Sequence, residues 1–142
     1  MPQQHYRNHR RWAPAYHFIT LPLLIAFVIG SFVNLFTAVH TNLYSASLIC
    51  LAGIIMSSLY YHSRVFALKV QNRVIRVEEN FRHFSLTGKP LDSRLRMSQV
   101  IALRFARDNE FIILAKKAAE EKLTNNAIKK LITEWKGDFH RV

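Results

Sequence analysis

The side chains that could do chemistry here are few, and they are scattered. His17, His40 and His62 are the histidines nearest the two long apolar runs of the chain. A histidine on each of two antiparallel helices could hold a haem or a metal, so His17 and His62 are the candidate cofactor ligands. Set against this, two helices offer little wall around a cofactor, and histidines at span ends suit a half-wet boundary equally well. His5 and His9 add a four-residue spacing near the N terminus, a weak metal signal. Glu78 and Glu79 are adjacent in sequence and so point to different faces of a helix, which makes them a poor acid/base pair. At i, i+4 spacing, Glu78 faces Arg82 and Glu79 faces His83, as in ordinary helix pairing. The single cysteine, Cys50, lies inside an apolar run, where a small hydrophobe is expected rather than a nucleophile. The sequence contains no phosphate loop, dinucleotide fingerprint, HExxH motif or nucleophile elbow. No catalytic set and no resident cofactor is expected, and the balance is against an enzyme.

The elements that must position these residues divide the 142-residue chain in two. No Asp, Glu, Lys or Arg occurs between Trp12 and Ser63, and every acidic residue lies at Glu78 or beyond. An apolar run from Phe18 to Val39 and another from Leu43 to Tyr61 each approach the roughly 20 residues a helix needs to cross a bilayer core. Only His40, Thr41 and Asn42 separate them, which predicts an antiparallel hairpin. The first run is too long for a signal peptide and is followed by no small-residue cleavage motif. Arg7, Arg10 and Arg11 precede the hairpin, Arg64, Lys69, Arg73 and Arg76 follow it, and the connection has no Lys or Arg. The positive-inside rule then puts both termini in the cytoplasm. Tyr6, Trp12, Tyr16, Tyr60 and Tyr61 mark the same boundary as interfacial aromatics. Pro22 removes a backbone donor early in the first span and bends it.

Small residues supply candidate helix-packing faces. They are Ala26, Gly30 and Thr37 with Asn34 beside them in the first span, and Ala46, Cys50, Gly53 and Ser57 in the second. The spacing of the second set is the small-xxx-small pattern of close helix approach, within the hairpin or toward another copy or protein. Asn34 is the one strongly polar side chain deep in the first span.

After the hairpin, Phe66, Val70, Val74, Val77, Phe81 and Phe84 recur at helical spacing through a segment, His62–Phe84, without Gly or Pro. This apolar face is expected to join the core of the following domain, which alone is small. Lys69, Arg73 and Arg76 form a second stripe, a basic face for anionic lipid or an acidic partner. Gly88 and Pro90 end the helix. A short element is expected over Asp92–Met97. Ser98, Asp108 and Thr124 are expected to cap three more helices, ending near Phe105, Leu123 and Trp135. The last carries Ala127, Ile128, Leu131, Ile132 and Trp135 on one side.

Net charge is +11. Seventeen of the twenty Lys and Arg and all nine Asp and Glu follow the second span, a net of +8 over about eighty residues. Positive-inside topology accounts for part of this excess, and phospholipid is the adjacent counter-charge, so no specific nucleic-acid partner is expected.

The fold class expected is therefore an all-α membrane protein, a two-helix transmembrane hairpin with a small cytoplasmic helical domain. Its segments are a basic and aromatic N-terminal stretch (1–17), the hairpin (18–61), the helical domain (62–136) and a tail (137–142). Particular stretches also carry a resemblance. They are Gln4-His-Tyr-Arg-Asn-His-Arg10, Pro14-Ala-Tyr-His17, Phe66-Ala-Leu-Lys-Val-Gln-Asn-Arg-Val-Ile-Arg76 with Glu78-Glu79, Gln99-Val-Ile-Ala-Leu-Arg-Phe-Ala-Arg-Asp108, Ile128-Lys-Lys130, Trp135 and Arg141-Val142. Together they resemble a family of small, functionally uncharacterised bacterial two-span membrane proteins. The resemblance implies the hairpin architecture and carries no activity, cofactor or catalytic residue. The expected role is a non-enzymatic scaffold or accessory subunit at the inner membrane, binding phospholipid and a protein partner or itself. The alternatives are a homo-oligomeric transporter or channel subunit, and a haem or metal redox subunit using His17 and His62.

Overall fold

In a computed structural model of the chain, residues 5, 6 and 12–137 are described. Arg7, His9, Arg10, Arg11 and the tail from Asp138 onward, which figure in the sequence reading, lie outside them. Among the described residues every regular element is helical, and the one β feature is an isolated antiparallel bridge between Ala106 and Trp135. The described chain divides into two compact units, Trp12–Ala67 and the residues from Leu68 onward.

The first unit opens with a π-helical turn, Ala15–Thr20, that runs into α1, Leu21–Thr37. Pro22 sits in the first turn of α1 and has no N–H to offer the Phe18 carbonyl. The widened turn precedes it, with the Leu21 N–H reaching five residues back to the Tyr16 carbonyl. After a tight connection in which the Asn42 N–H bonds the Val39 carbonyl at 2.9 Å, α2 begins at Leu43 and continues to Thr87. The Ala15–Thr37 segment and α2 are both long and apolar enough to cross a membrane. The division into units falls inside α2, between Ala67 and Leu68 rather than after Tyr61.

The second unit holds the rest of α2 with α3 (Met97–Leu103), α4 (Asp108–Glu120) and α5 (Asn125–Leu131). At the end of α2 the Gly88 N–H bonds the Phe84 carbonyl at 2.7 Å, and Gly88 adopts φ 71°, the left-handed turn-off that a side chain resists. The short element expected over Asp92–Met97 is a turn at Ser93 and Arg94, and Met97 already opens α3. Arg94 donates to Asp92 from both its backbone N–H and its side chain. That side-chain bond, first among the causes, holds the Asp92 carboxyl at about 2.

The helix caps follow the expectation at one of three positions. The Thr124 hydroxyl accepts the Ala127 N–H at 3.2 Å. Thr124→Ala should cost about 1 kcal/mol, read as a lower thermal unfolding midpoint for the second unit. Ser98 and Asp108 are not caps: Arg96 and Arg107 hold the cap positions in extended conformation. The reason at α3 is Gln99. Its side-chain carbonyl accepts the Arg96 N–H at 2.7 Å, while its amide donates to the Ala118 and Leu123 carbonyls. One buried side chain thus closes the start of α3 and the end of α4. Asp108 is left at the first turn of α4, where its charge suits the helix N terminus.

The core gathers Leu95, Val100, Leu103, Phe105, Phe111, Leu114, Ile128, Ile132 and Trp135 around a line of alanines. Those alanines on α3 and α4 let the short helices approach closely. The Phe105 and Trp135 rings lie 5.1 Å apart, and the Lys136 N–H bonds the Phe105 carbonyl at 2.7 Å. Those contacts draw Trp135 out of the last helix, so α5 ends at Leu131.

The apolar face expected to close this core does not. Phe66, Val70, Val74, Val77, Phe81 and Phe84 are all at least half exposed. The opposite face of α2 packs instead, through buried Ile75 and Glu79 and half-buried Arg82. With Phe105, Phe111 and Trp135 already filling the centre, one aliphatic side chain from α2 suffices. Arg82 then ties the helix down with polar bonds that valines cannot make.

Candidate functional site

Arg82 is the centre of the most connected polar cluster. Its guanidinium donates to the Glu79 carboxylate at 3.0 Å and to the Ala106 carbonyl at 2.8 Å, and it pairs with Asp108 at 2.6 Å. It also lies 4.3 Å above the Phe111 ring, a cation–π stack. Each acceptor comes from a different turn of the fold, so Arg82 sets the α3–α4 junction against α2. Beside it lies a cavity of about 460 Å³ lined by Gln71, Val74, Ile75, Glu78, Glu79, Arg82, Arg104, Lys136 and Gly137. The lining mixes two carboxylates with three cations and holds no hydroxyl or thiol. Its carboxylates and cations can bind charged groups and exchange protons.

Burial pushes the Glu79 carboxyl above its ordinary value of 4.5, against the pull of Arg82 and Lys136. The folded state therefore binds the proton more tightly than the unfolded chain does. Glu79 weighs nothing below about pH 4, where both states are protonated. Its cost sets in as pH rises through the ordinary glutamate range and is complete above the folded value. Glu79→Gln should thus gain on the wild type as pH rises from about 4 to 7, read as the difference between their thermal midpoints. A difference that is flat with pH would place the carboxyl at its ordinary value.

In the first unit, His17 and His62 each hydrogen-bond a backbone carbonyl four residues earlier. His17 Nδ1 lies 3.0 Å from the Ala13 carbonyl, and His62 Nδ1 lies 2.8 Å from the Ser58 carbonyl. A carbonyl only accepts, so Nδ1 is the donor in both. The His17 ring packs edge-on against Trp12 and Tyr16. Among the described residues no three His, Cys, Asp or Glu side chains gather as a metal-holding group.

The small-residue sets separate. In α2, Ala46, Cys50 and Gly53 are buried and Ser57 is half-buried. A Cβ on Gly53 would lie 3.4 Å from Phe27 and Ser31 and 3.5 Å from Val28, so this face lies against α1 within the chain. In α1, however, Ala26, Gly30, Asn34 and Thr37 are exposed, and a Cβ on Gly30 would meet nothing within 4 Å. The side of α1 that faces α2 carries Leu24, Val28, Ser31, Leu35 and Ala38. The Ser31 hydroxyl turns inward to the Val28 carbonyl at 2.7 Å and leaves a flat surface for Gly53.

Sequence reasoning missed the strongest link in this unit. Tyr16 Oη donates to the Tyr60 carbonyl at 2.9 Å, and Tyr60 Oη donates back to the Tyr16 carbonyl at 3.0 Å. The two rings stack with centroids 4.1 Å apart. The only signal was two tyrosines at matching hairpin ends, which interfacial anchoring explains equally well. An apolar groove of about 680 Å³ runs beside them, lined by Leu23, Leu24, Phe27, Met56 and Leu59 among others. Lys69, Arg73 and Arg76 are exposed on α2 in the second unit.

No curated protein and no solved structure gives a significant match to this sequence. A family model does, over residues 1–142, and the chain belongs to that family, a family of unknown function designated DUF6526.

Proposed function

We propose that the protein is a membrane-anchored scaffold or accessory subunit of the bacterial cytoplasmic membrane. The hairpin spans the bilayer, both termini lie in the cytoplasm, and the basic helical unit stands at the inner face. One observation carries the reading. The apolar side chains of the Ala15–Thr37 segment and early α2 point outward, with Phe36 83%, Leu23 66% and Phe18 65% exposed. A soluble protein would have to leave this surface in water, at about 25 cal/mol for each Å². A bilayer covers it without cost, and the absence of charge from Trp12 to Ser63 suits that solvent. The basic stripe of Lys69, Arg73 and Arg76 is the side of the unit offered to anionic phospholipid and acidic partners.

The accessory role is tested by native mass determination of the protein extracted in mild detergent from its own membrane. A second kind of subunit in fixed ratio to the chain is the expected result. Extraction as this chain alone, in any number of copies, would overturn it.

A further inference from the structure

The exposed apolar stripe of α2 has a spacing that identifies its occupant. Within the second unit its residues are Val70, Val74, Val77, Phe81 and Phe84, separated by four, three, four and three positions. That is a seven-residue repeat, with Val74 and Phe81 at a and Val70, Val77 and Phe84 at d. The buried side of the same helix, Leu68, Ile75, Glu79 and Arg82, falls at b and f, opposite the seam. Packing within the unit therefore leaves the a/d face open along its length. All five stripe side chains are at least half exposed, a contiguous patch of the kind that marks an interaction surface.

The flanking charges choose the partner. In this register Arg73 is a g residue and Glu78 an e residue, and both are exposed. In a parallel pair of copies, g of one helix faces e of the next heptad on the other, five positions on. Arg73 then meets Glu78 of the second copy, and Glu78 meets its Arg73, giving two ion pairs by symmetry. An antiparallel pair sets g against g and e against e, so Arg73 would not meet Glu78 of the second copy. Among the described residues neither makes an ion pair within its own chain. We propose that two copies of this chain associate through residues 70–84 of α2 as a short parallel coiled coil.

Two heptads are few for an isolated coiled coil. Here the helix is already fixed by Arg82 and Ile75, so association need not meet the cost of ordering it. The inference stands independently of any second kind of subunit.

The test uses the purified full-length chain in mild detergent, with Cys50→Ser removing the native thiol. Val77→Cys should oxidise to a disulfide-linked dimer, and Arg76→Cys, off the seam on the same exposed helix, should not. Arg73→Glu should lower the yield of the Val77→Cys dimer about fivefold, and adding Glu78→Lys should restore it. Equal yields at 76 and 77, or a charge swap without rescue, would overturn the proposal. So would a monomer whose residue 77, labelled with an environment-sensitive dye, reports phosphatidylglycerol vesicles, which would assign the stripe to lipid.

Discussion

Phe111→Ala should unfold the second unit while leaving the hairpin helical. Phe111 is fully buried, meets the His83 ring edge-on at 6.0 Å, and carries the Arg82 guanidinium on its face. Removing the ring costs about 3–5 kcal/mol in transfer and cavity terms. A unit of about 70 residues has a total stability of only about 4–10 kcal/mol. The loss is thus of the same order as the whole. It also strips Arg82 of its stacking surface and loosens the junction with Ala106 and Asp108. The expected signature is loss of the Trp135 near-ultraviolet signal and rapid tryptic cleavage at Lys116 and Lys117, with most helical signal retained. Phe111→Leu should cost much less. Wild-type resistance to trypsin in Phe111→Ala would mean that the core does not depend on this ring.

Gly53→Leu should pry the hairpin apart. A Cβ alone is tolerated, because 3.4 Å to Phe27 and Ser31 is ordinary contact. The three further carbons of leucine have no room against Val28, Phe27 and the buried Ser31. Overpacking of this kind costs about 1–3 kcal/mol or more. Gly53→Ala should be near neutral. Gly30→Leu should leave the hairpin unaffected, since nothing lies within 4 Å of its Cβ. Stability read by titration with SDS would rank the three. Equal losses at Gly30 and Gly53 would contradict the seam seen here.

The contrast between those two glycines shows how far the sequence reaches. Local chemistry was legible: Thr124 caps its helix, Gly88 ends α2, and the apolar runs are helical, the first as far as Thr37 and the second throughout. What failed depended on partners distant in sequence. Gly30 and Gly53 look alike as small residues in apolar helices. Only the rotation of α1, which brings Ser31 and Val28 to the seam, distinguishes them. Gln99 looks like a surface residue until the Ala118 and Leu123 carbonyls arrive 19 and 24 positions later. Tyr16 and Tyr60 are 44 positions apart, and no periodicity links them. The stripe from Phe66 to Phe84 has the right period for a core face. Periodicity shows that a face is apolar, and it does not say what covers it. The polar anchor at Arg82 decided which side of α2 turned inward.

For the candidate site the limit is of another kind. His17 and His62 were found as residues, and the structure gives each a backbone carbonyl as partner. The cavity beside Glu79 and Arg82 was not foreseen, because local i, i+3 pairing in a helix looks the same whether it is buried or wet. Burial is what distinguishes Glu79 from Glu78, and it comes with Arg82 and with Arg104 and Lys136, which are distant in sequence.

In the proposed topology the hairpin spans a membrane with both ends on the cytoplasmic side. Cysteine accessibility in intact bacterial cells tests it most directly, using the full chain in a Cys50→Ser background. His40→Cys, in the connection between the helices, should react with a membrane-impermeant maleimide added outside. Lys116→Cys, in α4, should react only after the cytoplasmic membrane is opened. Labelling of both from the same side, or release of the protein from membranes by alkaline carbonate, would contradict the account.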